Sequence, residues 1–121
     1  MIGQAIGPIL IATGAVTMVP SLQFFFPRPM LARTSKLVID DEAGLFFARH
    51  WGLCTLTVGL LLVYAGLHAE GRGAIVGAIL VEKLGFVGLV LANWKRFPGL
   101  RGAGLFDAAC CVLYSLFLLG A

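Results

Sequence analysis

The sequence predicts an all-α fold: a polytopic membrane protein, a bundle of four transmembrane helices with both termini outside. Three observations predict it. First, 60% of the 121 residues are hydrophobic and 12% charged, with a mean hydropathy of +0.97. Soluble domains carry about 25% charged residues, so too little charge is present to clothe a surface facing water. Second, the apolar residues fall into four runs, each close to the roughly 20 residues that cross a bilayer. Third, the basic residues gather between runs one and two and between runs three and four, the bias that orients a polytopic chain.

Span one is expected at 3–26, an apolar run broken only by Pro8, Pro20 and a few small polar residues. Arg28, Arg33 and Lys36 follow this run instead of preceding it, so it reads as a span and not as a cleavable signal. The connection 27–44 sets Met30, Leu31, Leu37, Val38 and Ile39 among its basic residues, and part of it is expected to lie on the membrane surface. Asp40, Asp41 and Glu42 close it, placed to cap the free N–H groups and oppose the positive end of the next helix. Span two is expected at 45–66, span three at 74–92 and span four at 103–121. Arg72 lies in the turn between two and three, and Lys95, Arg96 and Arg101 lie between three and four. No run alternates with period two, which excludes strands. By the positive-inside rule the two basic connections face the cytoplasm, with Trp94 and the Phe24-Phe25-Phe26 run at that interface. The whole chain, 1–121, forms a single domain.

A net charge of +3 and a pI near 9.0 do not point to nucleic acid, because the basic residues sit at the ends of apolar runs without aromatics interleaved for base stacking. Cys54, Cys110 and Cys111 all lie inside apolar runs and form no CxxC pair; no disulfide framework, zinc site or thioredoxin-type centre is indicated. No cofactor and no metal are implied, His50 being the one imidazole expected in the inner half. Gly52, Gly59 and Gly66 recur every seven residues, and Gly3 with Gly7 and Gly73 with Gly77 form GxxxG pairs. Small residues at such intervals let helices approach closely in lipid, inside the bundle or across a homodimer.

Function is expected in the ionisable residues within spans, each of which costs about 2.5–3.5 kcal/mol at the membrane centre. These are Arg49 and His50 near the inner end of span two, Glu82 and Lys83 at mid-depth in span three, and Asp107 just over a turn into span four. His50, Cys54, Thr57 and Tyr64 fall at i, i+4, i+7 and i+14, and Asp107, Cys110, Cys111 and Tyr114 at i, i+3, i+4 and i+7; each set makes one stripe on its helix. Thr13, Thr17 and Gln23 add polar groups from span one. Eleven positions bring Asn93 back to within about 20° of Glu82. Together these predict an inward-facing polar cluster in the cytoplasmic half, centred on Glu82 and completed by Arg49, His50, Asn93 and Asp107, with Trp51, Thr57, Tyr64 and Tyr114 as further ligand contacts. Glu82 either pairs with Arg49, or simply keeps its proton because burial favours the protonated form of a carboxyl, or serves as a proton donor and acceptor. Lys83, about 100° around the helix, is expected to pair with Asp107 or to snorkel.

The stretch Ala48-Arg49-His50-Trp51-Gly52, followed by an apolar helix, a short turn with Arg72, and Val81-Glu82-Lys83-Leu84-Gly85, resembles small bacterial four-helix integral membrane proteins of the DoxX-like kind. Members of that group are linked to quinone-coupled redox complexes, and animal relatives to the assembly of other membrane proteins, so the resemblance implies work beside partner subunits. Three functions stay open. The leading one is an intramembrane polar pocket that binds an apolar molecule with a polar head, such as an isoprenoid, quinone or sterol-like lipid. The second is an isomerase or cyclase that uses Glu82, His50 and Asp107 for acid/base chemistry on a lipid-soluble substrate. The third is an accessory or assembly subunit whose glycine-lined faces dock on a larger membrane complex. The expected partners are membrane lipids, a lipid-soluble small molecule, and a second copy or a larger complex.

Overall fold

The computed structural model describes residues 2–120. Helix α1 (Ile2–Thr17) gives way to a 3-10 turn (Val19–Phe24) and a short helix α2 (Pro27–Thr34). Helices α3 (Glu42–Leu67) and α4 (Arg72–Ala92) follow, and a 3-10 turn (Pro98–Leu100) runs directly into α5 (Arg101–Leu118). Four stretches, Ile2–Phe24, Glu42–Leu67, Arg72–Ala92 and Pro98–Leu118, are long and apolar enough to cross a membrane. No strand occurs among the described residues. The all-helical, four-span architecture is therefore as expected.

The helices begin earlier than the apolar runs because the residues that start them are polar or lack a side chain. Asp41 caps α3, its carboxylate accepting the Gly44 N–H at 2.7 Å. Gly71, at φ +75°, supplies the left-handed turn that enters α4, a conformation glycine adopts without steric cost. Span one stops being α-helical at Thr17 because Pro20, which has no N–H to continue the ladder, opens the 3-10 turn. Ala121, the expected end of span four, lies outside the described residues. Within the connection 27–44, α2 is the one helical piece; Pro27 and Leu31 are buried, while Arg28 reaches Asp40 in an exposed ion pair of 3.2 Å.

The bundle is two tight pairs, α1 with α3 and α4 with α5, which meet each other more sparsely. Glycine makes the first pair. A Cβ on Gly14 would fall 2.8 Å from the Gly59 carbonyl oxygen, one on Gly59 2.7 Å from that of Gly14, and one on Gly66 2.7 Å from that of Gly7. A Cβ on Gly52 would lie 3.2 Å from the Ser21 carbonyl oxygen. The heptad glycines of α3 thus meet residues 7, 14 and 21 of span one in antiparallel order, backbone against backbone, as small residues permit in lipid. They serve packing inside the bundle.

The dense core, Ile6, Leu10, Leu62, Ala65, Val76, Ile79, Cys110 and Tyr114, lies in the half nearer the α3–α4 turn. There the Arg72 guanidinium donates to the carbonyls of Ala65 (2.6 Å) and Gly66 (3.2 Å), satisfying acceptors that the end of α3 leaves free. At the opposite end Arg101 donates twice to the Trp94 carbonyl and stacks 4.8 Å from the Trp94 ring centroid. The two basic connections touch: Gly99 sits where a side chain would run into the Ser35 carbonyl.

Candidate functional site

Lys83 organises the polar interior. It stands eleven positions from Arg72 and nine from Ala92 on α4, about 16 and 14 Å from the two ends, hence near the middle of the span. Its side chain is 1% exposed, and Nζ donates to Asp107 Oδ1 at 2.7 Å and to Thr17 Oγ1 at 3.2 Å. The ammonium also lies 5.4 Å from the Phe106 ring centroid. Thr17 in turn donates to the Thr13 carbonyl at 2.7 Å, and the Thr13 hydroxyl meets the Tyr114 hydroxyl. One polar chain therefore links α1, α4 and α5 through a region where an unpaired charge would be costly.

Beside this chain lies a cavity of about 320 Å³. Lys83, Asp107 and Thr17 form its polar part, and Val16, Val19, Trp51, Phe86 and Phe106 supply most of its apolar wall. Thr34 and Ser35 close it on the side of the basic connections. The Trp51 and Phe86 rings face each other from α3 and α4 with centroids 6.0 Å apart. Glu82 also lines the cavity, but as an exposed residue at its rim.

Several residues expected in one cluster are dispersed. Glu82, Asp107 and Trp51 share the cavity, whereas Arg49 and His50 are exposed and line a separate groove of about 480 Å³ with Phe24, Glu42 and Phe46. Neither a Glu82–Arg49 pair nor a joint Glu82, His50 and Asp107 set is assembled. Thr57 is exposed and donates to the Leu53 carbonyl at 3.0 Å. Tyr64, also exposed, stacks on His68 with centroids 4.2 Å apart. The reason is steric. The stripe through His50, Cys54, Thr57 and Tyr64 lies roughly 140–160° around α3 from the glycine stripe, and the backbone approach to α1 turns the glycines inward.

Asn93 shares no cavity with Glu82. Helix α4 ends at Ala92, so Asn93 leaves the helical face, bonds its own Leu89 carbonyl at 2.9 Å and lines a hollow of about 220 Å³ with Phe86 and Phe97. Tyr114 is wholly buried in the core, bonded to Thr13 and outside the cavity lining. Lys83 is paired with Asp107 and occupies the centre that Glu82 was expected to hold. Its position has a sequence signal: Val76, Ile79, Lys83 and Val90 stand at i, i+3, i+7 and i+14, and these are the buried residues of α4. Phe86 and Phe106 had no signal beyond their apolar character.

No protein-family model, no curated protein and no solved structure matches this chain.

Proposed function

We propose that the chain is an integral protein of the bacterial inner membrane, with its basic connections in the cytoplasm and both termini outside, whose bundle holds one apolar molecule with a polar head, isoprenoid, quinone or sterol-like in build. The observation that carries this reading is the cavity itself: about 320 Å³, walled mainly by apolar and aromatic side chains, with a buried ion pair on one side. Few fixed polar groups in an otherwise apolar hollow are the usual anatomy of a small-molecule site. Apolar residues of similar volume would serve stability as well as a buried ion pair does, so its retention at mid-span favours a role in binding. An ammonium has three N–H donors, and Asp107 and Thr17 take two of Lys83's. The third is free for a carbonyl or hydroxyl oxygen of the ligand.

The test is extraction in mild detergent, wild type beside Ala103→Trp, with mass spectrometry of the small molecules that co-purify. Ala103 lines the cavity, so an indole there takes up its space without replacing a charged residue. A lipid-soluble compound enriched in the wild type and lost from a folded Ala103→Trp protein is the expected result. Identical extracts would refute the reading.

A further inference from the structure

Resting on that reading, we infer that the head of the bound molecule carries a positive charge: a protonated or quaternary amine on an isoprenoid- or sterol-like body. The charges around the cavity do not balance. Its ionisable lining is Glu82, Lys83 and Asp107. Lys83 is consumed by Asp107 at 2.7 Å, with Thr17 as its second acceptor. Glu82 makes no ion pair among the described residues, and Arg49, the cation that sequence alone offered it, lies in another groove. A carboxylate at Glu82 therefore finds no counter-charge on the cavity wall.

The aromatic lining is the second observation. Trp51 and Phe86 stand with ring centroids 6.0 Å apart, and Phe106 already receives the Lys83 ammonium at 5.4 Å from its centroid. Aromatic faces gathered with a carboxylate are the general means of holding an ammonium, above all a quaternary one. A neutral carbonyl head satisfies the third Lys83 N–H but offers Glu82 no counter-charge. An acidic head meets two carboxylates. A cationic head supplies the one partner that a Glu82 carboxylate lacks on the cavity wall, so among the ligand builds considered above the geometry favours an amine.

The experiment uses the full chain in phosphatidylcholine vesicles with Trp94→Phe, so that Trp51, the other of the two tryptophans, reports alone. Farnesylamine, farnesol and farnesoic acid put three heads on one tail and are titrated against Trp51 fluorescence. The amine should bind about tenfold or more tightly than the alcohol, with the acid weakest, and Glu82→Gln should bring the amine to the level of the alcohol. Glu82→Asp should keep the preference. If all three compounds bind saturably and equally, or if Glu82→Gln retains the tenfold preference, the charge assignment is overturned while the cavity still binds lipid. If none gives saturable quenching, the cavity reading falls and takes this inference with it.

Discussion

Lys83→Met should destabilise the protein far more than the same change made together with Asp107→Leu. Lys83 and Asp107 pair at 2.7 Å with side-chain exposures of 1% and 13%, so removing one partner leaves the other charge buried. Breaking a buried pair costs about 3–5 kcal/mol. In a membrane the unfolded chain also finds polar partners, which sets the expectation near the lower end, about 3 kcal/mol for Lys83→Met or Asp107→Asn alone. Thr17→Val, which removes only the 3.2 Å bond, should cost about 0.6–1.7 kcal/mol. The double variant leaves no orphaned charge and should lie within about 1 kcal/mol of the wild type. Unfolding by SDS in mixed micelles, followed by helical circular dichroism, measures each value. Single losses below about 1 kcal/mol, or a double loss equal to their sum, would refute the reasoning.

Gly59→Ala places a Cβ 2.7 Å from the Gly14 carbonyl oxygen, whereas Gly85 has open space around it. The first should cost about 1–3 kcal/mol and the second should gain about 0.5–1 kcal/mol, so their SDS midpoints should move in opposite directions. Arg72→Met removes two charge-assisted bonds to the end of α3 and should cost about 1.5–3 kcal/mol. Faster hydrogen exchange in the α3–α4 turn would be its local sign.

The four spans were legible because crossing a bilayer needs only about 20 apolar residues in a row, a property that does not depend on where any one side chain points. The site depends on that direction, and α3 shows how it misleads. One face carries Gly52, Gly59 and Gly66, and nearly the opposite one His50, Cys54, Thr57 and Tyr64. Polarity alone turns the second face inward, yet backbone contact with α1 is available only to the first. Arg49 and His50 tolerate the outward position because long or amphipathic side chains near a helix end can extend toward the interface. On α4 the same issue separates neighbours: the register of Val76, Ile79 and Val90 buries Lys83 and leaves Glu82 at the rim. Of the two outcomes expected for Lys83, pairing with Asp107 or snorkelling, the structure has the pair at 2.7 Å.

The two sparse seams between the helix pairs are not alike. Between α1 and the α4–α5 pair run the Thr13–Tyr114 contact and the Thr17–Lys83 bond, polar ties that resist stretching and sliding. Between α3 and α4, beyond the Arg72 clasp at the turn, the wall of the cavity is the Trp51–Phe86 ring contact, which has no fixed direction. The bundle is therefore tied by directional bonds on one side and, beyond its turn, by ring contact on the other. Parting Trp51 from Phe86 would open the cavity wall without breaking a hydrogen bond, whereas parting α1 from the α4–α5 pair would break the Thr13–Tyr114 and Thr17–Lys83 bonds.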